Sequence, residues 1–158
     1  MGGQGQGIFE ILFILVLLFV GKQMYDGYKN RKKLQEPVQG FSQRIRIMMA
    51  ISSGALFALG VFYLIVDFNL MAIVYVALGI AFIYLTYEKI LVGSNGIYYN
   101  GKLTLWSDIK QWGFGEDGKF LHLQVIDKGK KAARMIPVRP EDQESINALI
   151  RQYKKRKK

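Results

Sequence analysis

Two apolar stretches dominate the chain: IMMAISSGALFALGVFYLIV at Ile47–Val66 and FNLMAIVYVALGIAFIYLTY at Phe68–Tyr87. Neither contains a charged residue, and a helix of this length, rising about 1.5 Å per residue, matches the roughly 30 Å hydrocarbon core of a bilayer. Because Asp67 alone separates them, the connection between them is a tight turn. The sequence therefore predicts a hairpin of two antiparallel transmembrane helices at residues 47–87.

A third and weaker apolar stretch, Ile11–Gly21, lies between Glu10 and Lys22. It could be a signal peptide, but such a peptide needs a basic leading segment and a small-residue cleavage site. The leading residues Met1–Gly7 contain neither Lys nor Arg. We therefore predict an uncleaved transmembrane anchor at about residues 7–25, so that residues 1–46 form an N-terminal anchor followed by a basic cytoplasmic loop.

The distribution of charge predicts how these helices are oriented. The 158 residues include 22 Lys and Arg against 12 Asp and Glu, which gives a net charge of +10. Every basic residue lies at Lys22 or later, and none lies in the turn at Asp67. Because cytoplasmic loops carry an excess of Lys and Arg, we expect the N-terminus outside and residues 22–46 and 88–158 in the cytoplasm. The predicted location is the inner or plasma membrane, which the chain crosses three times.

Beyond Tyr87 the apolar pattern changes to the alternation that is typical of strands. Asn95-Gly96 and Asn100-Gly101 are strong hairpin signals, because both central residues of the favoured turn take positive φ. In the next apolar run, Leu121, Leu123 and Val125 share one face. Residues 88–158 are therefore predicted to form a small antiparallel sheet.

An amphipathic helix is predicted at the end of this domain. Pro140 occupies its first position, where the missing N–H costs nothing, and the acidic residues that follow suit the helix dipole. A single apolar stripe with helical spacing follows: Ile146, Leu149, Ile150 and Tyr153. This stripe should cover one face of the sheet. The predicted fold class is thus membrane α-helical for the first part of the chain and α+β for the second.

The run GSNGIYYNGKLTLWSDIKQW at Gly93–Trp112, with its later strands and terminal helix, resembles the PH-like domains that follow membrane hairpins in small uncharacterised bacterial proteins. The residues that carry this resemblance are Asn95, Gly96, Ile97, Tyr99, Gly101, Trp106, Ser107, Asp108 and Ile109. The resemblance implies a small antiparallel sheet or half-open barrel that is capped by the last helix. It also implies a scaffold or regulatory module and supplies no catalytic residue.

Candidate catalytic and cofactor residues are few. The chain has no cysteine, and His122 is its single histidine, so a zinc site or a histidine-based triad is not expected. Gly113, Gly115 and Gly118 match a dinucleotide-binding pattern, but a strand rather than a helix follows them and two acidic residues in the loop would repel phosphate. We predict no enzyme, no metal, no cofactor and no evident small-molecule substrate.

Basic residues near the predicted membrane are candidates for contact with an anionic leaflet, where each contributes about 1 kcal/mol of attraction. These candidate lipid contacts are Lys29, Arg31, Lys32, Lys33, Arg44, Arg46, Lys130, Lys131 and Arg134. A second basic run, Lys154–Lys158, ends the chain. An acidic partner protein is the alternative explanation, whereas nucleic acid is not an expected partner.

Within the membrane part, Ala50, Gly54 and Ala58 recur every four residues and form a candidate helix-packing face. This face would pack within the hairpin or against another chain, including a second copy of this one. Ser52 and Ser53 are possible interhelical hydrogen-bond donors. Glu10 is the candidate intramembrane acid, although at the start of a helix its carboxylate could instead reach the headgroups.

Exposed or semi-exposed aromatic residues are the candidate partner surface, because a strand that is buried on one face must leave some of them on the other. This set consists of Tyr98, Tyr99, Trp106, Trp112 and Phe114. The sequence favours a membrane-anchored adaptor or regulatory subunit that presents its cytoplasmic PH-like domain to another membrane protein. One alternative is a sensor of anionic lipid headgroups or membrane stress. The other is a small channel or transporter accessory subunit in which Glu10, Ser52 and Ser53 line a path.

Overall fold

The computed structural model describes residues 3–44 and 47–155, with side chains from residue 7 onward. Three long helices come first: α1 at Gly3–Arg31, α2 at Ile47–Val66 and α3 at Leu70–Tyr87. Each contains a segment long and apolar enough to cross a membrane, at Gly7–Arg31, Ile47–Val66 and Leu70–Tyr87. Helix α1 continues past the predicted end of its span because its last turns carry basic residues, which suit the negative end of the helix dipole.

Residues Met1–Tyr25 and Ile45–Tyr87 form one compact unit, the helical unit. Close approach of α2 to α3 depends on two glycines rather than on the predicted small-residue face. A Cβ atom on Gly60 would lie 2.6 Å from the backbone nitrogen of Val76, and one on Gly79 would lie 2.7 Å from the Cα atom of Phe57. At the start of α3, Asn69 Oδ1 accepts a hydrogen bond of 2.9 Å from the Ala72 backbone N–H and caps the helix.

Residues Asp26–Arg44 and Glu88–Lys158 form the second compact unit, the β domain. Its antiparallel strands form a four-stranded sheet in the order β1-β2-β3-β4 and a three-stranded sheet in the order β5-β6-β7. The strands are β1 Gln39–Ser42, β2 Lys89–Val92, β3 Gly96–Tyr99, β4 Lys102–Leu105, β5 Ile109–Phe114, β6 Phe120–Asp127 and β7 Lys130–Pro137. A short 3₁₀ turn at Pro140–Asp142 precedes the last helix, α4, at Gln143–Lys155. Pro140 therefore opens this turn rather than α4 itself.

Strand β1 lies in the segment that the sequence assigns to a cytoplasmic loop. It pairs antiparallel with β2, with Gln39 opposite Val92 and Ser42 opposite Lys89. After β1, the Arg44 N–H donates a hydrogen bond of 3.4 Å to the Pro137 carbonyl, so the chain also reaches the end of β7. In the sequence, the α2–α3 hairpin therefore lies between β1 and β2, two strands that pair with each other in the sheet.

The core of the β domain lies between the two sheets and α4. Leu121, Leu123 and Val125 point inward from β6, as the alternation predicts. Helix α4 contributes Ile146, Ile150 and Tyr153, with Leu149 partly buried beside them. The Tyr153 ring stacks on that of Trp106, with the ring centroids 6.1 Å apart.

The two Asn-Gly pairs play different parts. Asn100 and Gly101 have φ values of 49° and 77°, as the predicted hairpin turn between β3 and β4 requires. Gly96 does not have positive φ and instead belongs to β3. The Asn95 side chain holds the segment after α1: its Oδ1 accepts a hydrogen bond from the Gln35 N–H, and its Nδ2 donates one to the Lys33 carbonyl, each 2.9 Å long.

Candidate functional site

The outer face of β5–β7 is a regular surface of exposed positions within the β domain. Because side chains alternate along a strand, burial of Leu121, Leu123 and Val125 leaves His122 and Gln124 exposed on the opposite face. The same face includes exposed positions on both neighbouring strands. We call this surface the open sheet face, and it consists of Gln111, Gly113, His122, Gln124, Ala133 and Met135.

On the open sheet face, His122 of the middle strand has a small residue on one side and an apolar residue on the other. Gly113 lies opposite His122, and a Cβ atom at Gly113 would meet no other atom within 4 Å. On the other side of His122, Met135 is 55% exposed. Beyond Tyr87, the only other large apolar side chain that is exposed in the described part of the chain is Leu105, at 37%. A flexible thioether at such a position can adapt to the shape of a partner.

A shallow depression of about 570 Å³ adjoins this face. Its lining includes Lys110, Gln111, Gln124, Lys131 and Ala133. Both lysines are exposed, and no Asp or Glu of the described chain lines the depression. The depression therefore combines positive charge with amide groups, which can donate and accept hydrogen bonds.

The opposite face of β5 is held by α4. Lys154 Nζ donates a hydrogen bond of 2.6 Å to the Ile109 carbonyl and lies 4.9 Å from the centre of the Trp112 ring. Trp112 Nε1 in turn donates to Asn147 Oδ1 at 3.1 Å. Burial, and secondly the charge of Lys110, lower the pKa of Lys154. Lys154 thus fixes β5 to α4, whereas Lys110 remains exposed.

Two of the five predicted surface aromatics are buried in the core, which corrects the expectation from the sequence for these two. Tyr98 and Trp106 are each only 2% exposed. Trp106 Nε1 donates a hydrogen bond to the Gly93 carbonyl at 3.1 Å. Tyr99, Trp112 and Phe114 are half-buried and pack against the core. Alternation along a strand shows which residues share a face, but it does not show which of two apolar faces a second sheet and a helix will cover.

Most of the predicted lipid contacts that lie within the described residues are exposed, and these are Lys29, Arg31, Lys32, Lys33, Arg44, Lys130 and Lys131. Arg46 and the end of the basic tail, residues 156–158, lie outside the described residues. Arg134 is different, because its guanidinium is only 23% exposed and pairs with Asp127 at 3.0 Å. It also donates a hydrogen bond to Thr104 Oγ1 on β4. Arg134 therefore links the two sheets and is not a free surface cation.

The end of α1 docks on the turn between β3 and β4. Asn30 Nδ2 donates a hydrogen bond of 2.9 Å to the Gly101 carbonyl, and a Cβ atom at Gly27 would lie 2.9 Å from the Tyr98 hydroxyl oxygen. That hydroxyl donates to Glu88 Oε1 at 2.5 Å. Burial raises the pKa of Glu88, although the Tyr98 hydrogen bond and the charge of Arg31 act in the opposite direction.

The predicted small-residue face does not form the contact between α2 and α3. Gly54 and Ala58 are exposed and Ala50 is half-buried, so this face is not the α2–α3 interface.

The structure separates the residues that were predicted to line a path through the membrane part. Ser52 Oγ donates a hydrogen bond of 2.8 Å to the Met48 carbonyl of its own helix, and Ser53 likewise donates to Met49. These serines line a cavity of about 380 Å³ beside Phe82. Glu10 lines a different cavity, so the structure does not bring it together with the serines in one path.

Among residues 3–44 and 47–155, no three His, Asp or Glu side chains come together as a possible metal site. Gly113, Gly115 and Gly118 lie at the end of β5 and in the turn before β6, so no helix follows them as a dinucleotide site would require.

Comparison with known proteins gives one match. Residues 88–155 match the family described as Domain of unknown function (DUF5673). The match extends from the residue before β2 to the end of α4 and does not include β1. No curated protein and no solved structure matches the chain.

Proposed function

We propose that this protein is a membrane-anchored adaptor or regulatory subunit whose β domain binds an acidic partner protein through the open sheet face. The observation that carries this proposal is the uncovered face of β5–β7, with Met135 exposed and with Lys110 and Lys131 at the adjoining depression. The other face of the same sheet is covered by α4. A protein partner would bury Met135 and pair its carboxylates with the two lysines.

The architecture of the β domain supports a PH-like identity. Seven strands form one sheet of four and one of three, and a C-terminal helix packs against the core between them. This agrees with the half-open barrel and closing helix that the resemblance at Gly93–Trp112 implies. The same resemblance implies a scaffold or regulatory module, which would act by presenting a surface to a partner.

Three apolar helices provide the anchor in this proposal. Because every Lys and Arg lies at Lys22 or beyond, we place the β domain in the cytoplasm of a bacterial-type cell and the N-terminus outside. The exposed basic residues at the end of α1, such as Lys29 and Lys33, would then lie close to the anionic leaflet. The partner would accordingly be a protein at the same membrane.

Site-specific photo-crosslinking of the full-length protein in native membranes tests this proposal. A photoreactive amino acid at Gln124, on the open sheet face, should form adducts with one acidic protein. The same amino acid at Gln152, an exposed glutamine on α4, should not form these adducts. Adducts of equal yield from both positions, or none at position 124, would refute docking at this face.

Removal of positive charge at chosen positions sharpens this test. Replacing Lys110 and Lys131 together by glutamine should lower the yield of the adduct from position 124 at least fivefold. The matched control replaces Lys89 and Lys102, two exposed lysines of the four-stranded sheet, and removes the same net charge. An equal loss of yield in both double variants would indicate attraction by net charge rather than recognition at the depression.

A sensor of anionic lipid headgroups is the second candidate, and the two lysines at the depression favour it as well. Native mass spectrometry of the full-length protein in mild detergent separates the two candidates. A headgroup site would retain phosphatidylglycerol and lose it on replacement of Lys110 and Lys131. If the control double variant loses as much lipid, the depression has no specific role in binding it.

A further inference from the structure

A cavity of about 460 Å³ opens in the helical unit, and residues from all three helices line it. Helix α1 contributes Phe9 and Glu10, α2 contributes Tyr63, and Tyr75 comes from α3, with Asn69 just before that helix. The volume lies within the range of small-molecule sites, which is about 300–1,000 Å³. The lining is mostly apolar and aromatic, and Glu10 is its one ionisable carboxyl group.

Aromatic rings are packed around this cavity. The Phe13 and Tyr75 rings meet edge to face at 88° with their centroids 5.1 Å apart. The Tyr63 ring lies 6.4 Å from that of Tyr75. Packing of this kind fixes the Tyr75 ring in place, and the faces of tyrosine rings attract cations, organic ammonium groups in particular.

Among the described residues of its own unit, Glu10 has no neighbouring cation to balance its charge. Lys22 is the one Lys or Arg in the described part of the helical unit, and it lies twelve residues farther along α1, or about 18 Å at the rise of a helix. The other acidic residue of the unit, Asp67, lies in the turn before α3 and does not line the cavity. The Glu10 side chain is exposed where it lines the cavity, so its carboxylate is accessible to a cation, and apolar walls beside a charge screen it less than water does.

We propose that this cavity binds a monovalent organic cation carried on an apolar body, with Glu10 balancing the charge and Tyr63 and Tyr75 supplying the aromatic contacts. A metal ion is a poorer match, since Ca²⁺ and Mg²⁺ take six or more oxygen ligands and only one carboxylate is present. The cation could be the ammonium group of a membrane lipid or a free amphiphilic compound. Both present the same chemistry to the cavity.

Binding of tetraphenylphosphonium to the full-length protein in maltoside micelles tests the proposal. Equilibrium dialysis should show saturable binding above that of empty micelles. Tetraphenylborate, of almost the same shape but opposite charge, should bind at least tenfold more weakly. Equal binding of both ions, or no binding above that of empty micelles, would overturn the proposal, because either result would show that the cavity does not select positive charge.

Variants locate the binding. Glu10→Gln should weaken tetraphenylphosphonium binding at least tenfold, whereas Asp67→Asn removes a carboxylate outside the cavity lining and should leave it within twofold. Tyr75→Leu should weaken binding at least threefold, and Tyr75→Phe, which keeps the ring, should not. If Glu10→Gln fails to fold, as judged by far-ultraviolet circular dichroism, the Tyr75 pair decides. Equal affinity of the Leu and Phe variants would then refute aromatic binding of the cation.

Competition identifies the source of the cation. Short-chain phosphatidylethanolamine should displace the bound probe if a lipid headgroup is the natural occupant. Phosphatidylglycerol of the same chain length, which has no amine, is the control. Failure of the ethanolamine lipid to displace the probe assigns the cavity to free amphiphilic cations. Equal displacement by both lipids would show competition for the apolar body alone and would contradict a role for Glu10.

Discussion

The helical unit and the β domain keep their apolar side chains in opposite places. Helices α1–α3 expose large apolar residues along much of their length, among them Phe19, Ile65 and Leu70 at 65% or more. The β domain after Tyr87 exposes two, Leu105 and Met135, among its described residues. An apolar surface on the first unit is what a bilayer requires, whereas on the second it is an exception in a surface suited to water.

This contrast shows where to look for function in each unit. In the helical unit the exception is a polar group, Glu10, in a cavity with aromatic walls. In the β domain the exception is an uncovered sheet face with an exposed methionine. Both tryptophans lie in the β domain, so their fluorescence follows unfolding of that domain alone in the full-length protein. Helical content reports on both units together.

Removal of the buried indole should have the largest effect on the β domain. Trp106→Ala takes a ring from between the sheets and the Tyr153 side chain, and such changes cost about 3–5 kcal/mol. The fluorescence of Trp112 should show a lower midpoint of chemical unfolding. Met135→Ala, at an exposed position, should change the free energy of unfolding by less than about 0.5 kcal/mol. Similar losses in both variants would contradict the assignment of Trp106 to the core and Met135 to the surface.

Because α2 and α3 are in close contact, a larger side chain should destabilise the helical unit at one glycine and not at another. Gly79→Leu places a side chain against the Phe57 backbone and should destabilise the unit by about 1–3 kcal/mol. Gly54→Leu enters open space and should be neutral. Thermal loss of helical circular dichroism in micelles measures the difference, and tryptophan fluorescence should stay unchanged in both. A larger loss for Gly54→Leu would place the helix interface on the other face.

The link between the two sheets offers a smaller effect within the β domain. Arg134→Gln breaks the ion pair with Asp127 and leaves the buried Thr104 hydroxyl without this donor, at a cost of about 1–2 kcal/mol. Arg139→Gln removes an exposed pair with Glu141 and should cost less than about 0.5 kcal/mol. Chemical unfolding followed by fluorescence compares the two variants. Equal midpoints would mean that the Arg134 contacts do not hold the sheets together.

The junction between α3 and β2 should show the smallest effect, as a dependence on pH. Burial raises the pKa of Glu88 above its ordinary value of 4.5, so the folded state favours the protonated carboxyl. The stability that this carboxyl provides is complete below pH 4.5 and is lost as the pH rises through the raised pKa.

The midpoint of unfolding should therefore fall as the pH rises through the pKa of Glu88. Glu88→Gln keeps a neutral group at this position and should remove that fall. Glu144→Gln, at an exposed position in the first turn of α4, should keep it. A wild-type midpoint that rises over this range, with no change in Glu88→Gln, would contradict the direction of the shift.

Much of the architecture can be predicted from local sequence. Uninterrupted apolar composition is enough for α2 and α3, and the stripe at Ile146, Ile150 and Tyr153 is enough for the buried side of α4. Strand β1 could not be predicted, because QGFS is only four residues long and its pairing partner lies beyond the whole hairpin. Such pairing depends on contacts distant in sequence, which local patterns do not contain.

The candidate site was harder to predict than the fold. The alternation around His122 and Gln124 indicates a shared face, but whether another element covers that face depends on where α4 packs. Tyr98 and Trp106 were expected outside because a strand that is buried on one face must leave some aromatic residues on the other, but both are buried. The cavity at Glu10 joins residues from three helices, and only the packing of those helices brings Tyr63 and Tyr75 beside it.

The pairing of β1 with β2 has a consequence for biosynthesis. Ser42 and Lys89 are opposite each other, yet the ribosome makes the whole α2–α3 hairpin between them. The first strand must therefore remain unpaired until both helices have been synthesised. In the membrane topology proposed above, a finished β domain would report that the preceding hairpin has inserted with both ends on one side. If only one of the two helices crossed the membrane, β1 and β2 would lie on opposite sides of it. The four-stranded sheet would then lack its edge strand β1.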